Sequence, residues 1–536
     1  MPYVQYSGKI VHKIEIIRLL PFTPDSTKNL QGFLNRFGNS LHTLTKQSVI
    51  RKEMFFKPGD ELDPLVLADN ERILRALPFI DEANIQVIET SPGSDSVDLI
   101  VVTKDKFSYA FSGTIKNARK FSVRVWSVNV MGLGHRFDNK ISVNTERTPV
   151  VLYEEGKYEI SNIGGSFIKG LLKYTRDDDD RRDITAGISR DLIPPSFDDA
   201  FGIKVGVTTY PASVNDPDGN NNEIQIGSYQ TDLYYTNGIA LKKNIRAKVK
   251  HPSYLLLSAR SISLDYFSRP FVSADSNLGF RSRLTVIGGI GIARNNYFIT
   301  NYVYSFGKTE DIPYGYTFQL IGGYELGEFY NRPYTGLLLG YGNYFNNAGY
   351  VYSIMEIGTY YKDGQYQQGL FQCNASYATP AFKMKNARIR NYLNINYTQG
   401  FHRISGEVIR MDDRNGFEGL GINDLLGQKR LVAGTESVVF TPWFFYGFST
   451  AVYGFVNCGI LSTENKPLFD NPVYVGLGVG LRIRNENLVF NTLQIQISYF
   501  PVAPPGASET DFSLSGIPEK SIHGFYSNAP SIPSFY

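Results

Sequence analysis

Thr492-Leu493-Gln494-Ile495-Gln496-Ile497-Ser498-Tyr499 is the stretch that decides the fold. Its polar and apolar residues take turns, which is the period of a β-strand with one wet and one apolar face. Similar stretches recur from residue 107 onwards. Alternation alone also suits a soluble sandwich, so composition has to decide what the apolar side meets. Of 536 residues, 36 are Tyr, 36 Phe and 2 Trp, 42% are hydrophobic and 20% charged, and 50 are Gly. Mean hydropathy is −0.21. No uncharged apolar run of about 18 residues occurs, so a spanning helix is excluded. A transmembrane antiparallel β-barrel accounts for these facts together. Lipid-facing and lumen-facing residues alternate along each strand, which keeps mean hydropathy low while aromatic residues serve as interfacial girdles.

The formal net charge of +3 is close to neutral for this length and argues against nucleic acid as a dedicated partner. Cys373 and Cys458 lie far apart on separate expected strands and read as two free thiols. Met1 to Tyr6 show neither a basic n-region nor an apolar h-region. A barrel needs an export route, so the expectation is that the numbering begins after a removed signal.

Chemistry-bearing patterns are sparse. His12, His42, His135, His251, His402 and His523 are scattered without a metal-binding spacing, and no GxSxG elbow occurs. Gly476-Leu477-Gly478-Val479-Gly480 alternates glycine in a strand, where small residues relieve crowding, and is not a phosphate loop. Arg176-Asp177-Asp178-Asp179-Asp180-Arg181-Arg182 reads as a solvated hairpin tip and Asp216-Pro217-Asp218-Gly219 as a surface turn, each with a calcium site as the alternative. No enzymatic activity, metal or cofactor is expected.

The first hundred residues follow a different pattern. Ile10, Ile14 and Ile16 share one face of a strand, with Lys13 and Glu15 opposite. A polar stretch over 23–29 leads to a segment over 30–37 and a helix over about 45–56, which ends at the turn Lys57-Pro58-Gly59-Asp60. Asp63 as N-cap and Pro64 at the first helical position open the next helix, and Pro78 follows its end. Strands over 83–89 and 97–103 complete the order strand, helix, helix, strand, strand. A sheet that small leaves an edge able to receive an extended segment from another chain.

SVIRKEMFFKPGDELDPLVLADNERILRALPFIDEANIQVIE, starting at Ser48, resembles a polypeptide-transport-associated (POTRA) domain of the outer-membrane assembly and translocation superfamily typified by BamA and TamA. The resemblance rests on Gly59 and Asp60 in an FxxGD turn, on Arg72 and Pro78 in the ERxLRxLPFI run, and on the closing VDLIVVTKD. It divides the chain into a periplasmic POTRA domain, 1–105, and an outer-membrane barrel, 106–536.

A second stretch, Met411-Asp412-Asp413-Arg414-Asn415-Gly416-Phe417-Glu418-Gly419, resembles the VRGF signature loop of the same superfamily, with Arg414, Gly416 and Phe417 in the signature positions and Asn415 interposed. Phe455-Val456-Asn457-Cys458-Gly459 resembles its FxDxG strand, with Asn457 where an acid is usual. The resemblance implies a loop near 410–428 folded into the lumen, its Arg414 facing Phe455, Asn457 and Gly459. A guanidinium there needs acceptors, and because Asn457 carries no charge, Glu436 or Asp413 is expected to complete the pairing.

After this loop, strands are expected over 429–440, 448–458, 473–483, 492–500 and 511–515, and the resemblance implies sixteen in all. Between 107 and 402 more candidate segments occur than sixteen requires, and the surplus is read as bulged strands or loop hairpins. The tail, 521–536, contains Pro530 and Pro533, which cannot donate to a ladder, so the closing strand and its seam with the first strand near 107–114 are expected to be weak. Tyr536 stands where such barrels carry a terminal aromatic residue.

By resemblance, the function is assistance in insertion or translocation of proteins at the bacterial outer membrane without nucleotide. Its partners would be unfolded outer-membrane or exported clients, accessory subunits and outer-membrane lipids. An accessory or scaffold subunit without insertase activity is the alternative, suggested by the lone POTRA domain, Asn457 and the tail. A passive channel ranks third because the loop plugs the lumen.

Overall fold

A computed structural model of the chain describes residues 3–22, 30–117, 119–177, 179–215, 221–241, 251–273, 276–404, 406–421, 425–517 and 522–535. The N-terminal unit contains β1 (Ile10–Leu19), α1 (Leu30–Leu41), α2 (Gln47–Lys52), α3 (Pro64–Ala76), β2 (Ile80–Glu89) and β3 (Ser96–Asp105). Its sheet runs β1-β3-β2, with β3 parallel to β1 and antiparallel to β2. β3 buries every second residue, Val97, Leu99 and Val101 among them, and these meet Ile50, Leu67 and Leu74 of the helices. The expected cap of α3 forms: Asp63 Oδ1 accepts the Leu65 N–H at 2.9 Å. α2 is shorter than 45–56 because α3 claims the residues after it. Buried Asn70 donates to the Glu53 carbonyl at 2.5 Å and accepts the Phe55 N–H at 3.3 Å.

The wall follows as β4 (Tyr109–Asn117), β5 (Lys120–Ser127), β6 (His135–Asn144), β7 (Val151–Ile160), β8 (Lys169–Arg176), β9 (Arg182–Arg190), β10 (Asp199–Asn215), β11 (Asn221–Ala240), β12 (Tyr254–Ser268), β13 (Arg283–Thr300), β14 (Glu310–Gly327), β15 (Asn331–Phe345), β16 (Gly349–Lys362), β17 (Gln365–Ala378), β18 (Phe382–Met384) and β19 (Ala387–Phe401). Next come β20 (Ile409–Arg410) and β21 (Leu426–Gly427), which pair with each other inside a loop. β22 (Lys429–Phe445), β23 (Phe448–Ser462), β24 (Tyr474–Arg484), β25 (Thr492–Val502) and β26 (Thr510–Ile517) complete the wall. Short β18 rests on β19 beside the end of β17.

The result is one antiparallel barrel of about twenty staves, not sixteen. All five staves expected after the loop are present, so the surplus lies upstream. β4 to β9 are eight to ten residues long, each paired antiparallel to the next, which is close to the roughly 9–11 residues a tilted strand needs to cross a bilayer. The repeated segments before residue 402 are therefore staves in their own right.

The wall is apolar outside and polar inside. On β25, Thr492, Gln494, Gln496 and Ser498 are buried, whereas Leu493, Ile497 and Tyr499 are exposed. Inside, Arg482 donates to Gln494 Oε1 (2.9 Å), Gln494 to Gln496 (2.8 Å) and Gln496 to Ser498 (2.9 Å), so the buried amides satisfy one another along the strand. Among the described residues, no helix is long and apolar enough to span a membrane. The exposed belt, which includes Leu172, Ile290 and Val479, belongs to the strands. Such a surface is suited to lipid.

Around the ring, adjoining staves are tied by runs of paired residues; β26 and β4 close the ring as hydrogen-bonded neighbours, but among the described residues no extended paired register joins them. At one end of this seam the β24–β25 turn takes the role of a neighbour. Asn487 O accepts the Phe107 N–H at 2.8 Å, and Phe490 meets Phe111 edge-on at 5.4 Å between centroids.

The N-terminal unit caps the mouth at this same end. Arg75 grips Asp311 at the start of β14 with two bonds, Nε–Oδ2 2.9 Å and Nη2–Oδ1 2.8 Å. Asp69 meets His251 at 3.0 Å, Lys104 reaches Asn487 at 2.5 Å, and Asn162 donates to the Lys52 carbonyl at 3.1 Å. These contacts fall on turns all round the ring. Trp126 and Val128 of the barrel even join the hydrophobic core of the unit. Burial pushes the Glu53 carboxyl up to about 7, against the lowering influence of a hydrogen bond with Asn162 and the charge of Lys169.

After β26 the described residues add no strand. Residues 522–535 enter the capped end and climb the inner wall: Phe525 packs by Gly340 and Gly342, Ile532 beside Tyr334 and Tyr360, and Phe535 against Gly400 near the opposite mouth. Tyr536 lies outside the described residues.

Candidate functional site: the lumen loop, the inner wall and the seam

The loop between β19 and β22 folds onto the inner wall because it carries three apolar side chains with nowhere else to go. Met411, Phe417 and Leu420 are fully buried against Val432, Tyr474 and Phe500. Phe417 fills a notch lined by two glycines, since a Cβ on Gly459 would stand 2.7 Å from its ring and one on Gly476 3.0 Å. Gly416 adopts φ +90°, a left-handed conformation that favours glycine, and a Cβ there would meet Asn396 Nδ2 at 2.6 Å. The loop motif and the strand motif thus meet through Phe417 and Gly459.

Arg414 sits otherwise than the resemblance implies. Its side chain is 75% exposed and donates Nε and Nη2 to Asp412, two residues away, at 3.1 and 2.5 Å. Asp412 is itself buried and also accepts from Asn415 Nδ2 at 2.9 Å, so the local turn absorbs the guanidinium before the wall can. Asp413 accepts the Gly419 N–H at 3.1 Å. Glu436 pairs instead with Arg482 of β24, in a fork of 2.9 and 2.5 Å. Glu418 of the loop adds a carboxylate 3.7 Å from the same guanidinium, and the Tyr453 ring lies 3.9 Å beneath it. The polarity is reversed relative to expectation: the wall supplies the cation and the loop an anion. Sequence reasoning missed Arg482, although its inward parity on β24 beside the Gly476–Gly480 run could have shown it.

Of the remaining strand-motif residues, Phe455 is buried, lies over Gly478, and stacks on Tyr453 at 6.3 Å. Asn457 is 3% exposed, and its amide nitrogen has no partner among the described residues. Loop, wall, tail and seam enclose a cavity of about 660 Å³, lined by Glu418, Glu436, Asn457, Arg482, His523 and Ser515 of β26, among others.

The N-terminal residues singled out in the sequence separate into two places. Gly59 and Asp60 form a turn against β1, where Gly59 N donates to the Val11 carbonyl at 2.8 Å and Asp60 Oδ2 accepts the Lys57 N–H at 2.8 Å. Arg72 and Pro78 belong to the joint. The guanidinium of Arg72 lies 4.0 Å over Tyr297 of the barrel, and Pro78 lines a small cleft of about 190 Å³ beside Trp126 and Phe490. The same joint holds an Asp105–His42–Ser108 chain with bonds of 3.0 and 3.2 Å. It has the connectivity of a hydrolytic triad, yet all three residues are buried, and Asp105 is spent on fixing Thr45 as well. It ties the linker to the helices.

The acidic cluster is a tip of ion pairs. Asp180 pairs with Arg176 and Arg182, and Asp177 accepts the Arg181 N–H at 2.9 Å. Asp178 and residues 216–220 lie outside the described residues. Among the described residues, no group of three or more His, Cys, Asp or Glu is placed to hold a metal. Cys373 and Cys458 are both free thiols.

Exposed apolar belt, polar lumen, inward loop and capped mouth define the class as a large antiparallel membrane-type β-barrel with an N-terminal α/β unit. No protein-family model and no curated protein matches the chain. Among solved structures it is similar in fold to BamA from Haemophilus ducreyi lacking POTRA domains 1–3, at 12% identity over 94% of this chain and 84% of that one, TM-score 0.37. It is also similar to CdiB from Acinetobacter baumannii, at 13% identity over 95% and 74%, TM-score 0.45. CdiB from Escherichia coli matches at 10% identity over 94% and 76%, TM-score 0.46.

Proposed function

We propose that this chain is a bacterial outer-membrane barrel that assists insertion or translocation of proteins without nucleotide, with its N-terminal unit as a POTRA domain in the periplasm. The observation that carries this reading is the seam: β26 and β4 close the ring, yet among the described residues they lack the extended paired register that ties the other staves. The axial route is obstructed by the cap, the loop and the tail, so a lateral route is the one the wall favours. Each missing ladder bond removes about 0.5–1.5 kcal/mol of net stabilisation, which makes the seam the cheapest place to part the wall. Unfolded outer-membrane or exported proteins are the clients, outer-membrane lipids the solvent, and accessory subunits further partners. Reconstitution in liposomes with an unfolded client barrel tests the reading. Faster client folding than in empty liposomes is expected, and equal rates refute it.

A second reading, an accessory or scaffold subunit, draws on the joint. The bidentate Arg75–Asp311 pair holds the cap on the mouth, as suits a fixed support. Mild-detergent purification from native membranes discriminates: stoichiometric partners favour the scaffold, and a bare monomer the first reading.

A further inference from the structure

The C-terminal segment is held to the inner wall partly by its backbone. Tyr352 Oη donates to the His523 carbonyl (3.3 Å), Thr236 Oγ1 to Asn528 (2.7 Å), Arg260 Nη1 to Pro530 (3.1 Å) and Gln372 Nε2 to Ser534 (2.7 Å). Four wall side chains on four different staves thus present donors to four carbonyls spread along one non-strand segment. Every peptide carries those carbonyls whatever its sequence.

Side-chain contacts are added along the segment: Tyr526 meets Tyr254 edge-on at 5.8 Å, Ser531 Oγ donates to Glu356 at 2.9 Å, and Ile532 packs beside Tyr334 and Tyr360. Ring pockets take the aromatic residues: a Cβ on Gly342 would stand 2.5 Å from the Phe525 ring, and one on Gly400 would stand 2.6 Å from Phe535, over which Arg403 lies at 4.3 Å. Asn528 accepts the Leu192 N–H and donates to Asp191, both at 2.9 Å. Pro530 and Pro533 suit such a track, because an extended segment with fixed φ loses little entropy on binding and needs no ladder partner.

We propose that this inner-wall track is a binding site for an extended, uncharged, proline-containing polypeptide, occupied at rest by the chain's own tail and open to an extended client segment that displaces it. The part concerning a client rests on the proposed function; the site itself does not. Wall donors aimed at carbonyls tolerate many sequences, and the seats of Phe525, Tyr526, Ile532 and Phe535 set the register. The tail is then a tethered competitor whose high local concentration a client segment must overcome.

The test uses the full chain with a protease site placed within 518–521, folded first and cut afterwards, without client or bilayer. Retention of the cut tail through gel filtration is expected, together with its exchange for excess labelled peptide of sequence 521–536. Arg260→Ala with Gln372→Ala should speed tail loss by about tenfold or more, as expected for removing two hydrogen bonds, one of them charged. A peptide that keeps Phe525, Tyr526, Ile532, Phe535 and the two Pro positions but replaces the others should still compete. Immediate loss of the cut tail from a barrel that keeps its heat-modifiable gel shift overturns the site. Equal labelling of uncut protein does the same, by showing adsorption. Competition by the native sequence alone overturns the client part. Failure of the liposome assay touches none of these readouts, so the two proposals fail separately.

Discussion

Phe417 of the loop and Gly459 of β23 form one fitted contact: the ring occupies the space a side chain at 459 would need, 2.7 Å from where its Cβ would stand. Phe417→Ala should therefore free the loop at a local cost of about 3–5 kcal/mol, the usual range for emptying a buried Phe site. Gly459→Ala should free it too, by filling the notch. Proteolysis within 402–421 measures both, and the double variant should cost less than the sum, because each change removes the same contact.

Arg414→Ala should leave proteolysis of the loop and the heat-modifiable gel shift unchanged, since the guanidinium is solvent-exposed and serves its own turn. Arg482→Ala should lower the gel-shift temperature markedly. It strands Glu436 in the lumen, and breaking one side of a buried pair typically costs about 3–5 kcal/mol. The reverse ranking would restore Arg414 to the role that the resemblance implies.

Asp311→Asn tests the joint. It keeps the shape but removes the barrel's carboxylate from Arg75, whose side chain is 6% exposed, and leaves it only the carboxylate of Glu71 on its own helix. Hydrogen exchange over β4 and the preceding linker should rise while exchange over β13–β16 stays unchanged. A uniform rise along the barrel would show global destabilisation rather than undocking.

Glu53 makes docking pH-dependent. Burial raises its folded-state pKa from 4.5 to about 7, so the folded state holds a proton that the unfolded state releases earlier. Stability from this group is fully present below 4.5 and declines as pH rises towards 7, with no further change above. Exchange protection of α2 and of the turn around Asn162 should follow that curve, and Glu53→Gln should flatten it.

The alternation of β25 was legible residue by residue from Thr492 to Tyr499, because one face is polar and its neighbour apolar there; Phe500 breaks it on the inner face, where the loop packs. The starts of the five staves after the loop were legible for the same reason. The number of staves was not, because sixteen came from the resemblance while the segments before residue 402 already carried full strand-length patterns. Pro530 and Pro533 excluded a ladder for the tail, yet its place in the lumen depends on glycines at 342 and 400 that receive Phe525 and Phe535 across long sequence separations. Phe417 and Gly459 lay in recognisable motifs. Arg414 was misplaced because the turn supplies its own acceptor, Asp412, and a local carboxylate wins over a distant wall.

The seam is the claim on which the functional account stands, and locking it tests that claim directly. With Cys373 and Cys458 replaced by serine, cysteine pairs scanned between outward positions Phe111 and Gly113 of β4 and Phe512 and Leu514 of β26 give a disulfide across the seam. The account predicts that the oxidised barrel, folded and inserted in liposomes, no longer accelerates client folding and that reductant restores it. Acceleration by the locked barrel equal to that of its reduced form would contradict the account.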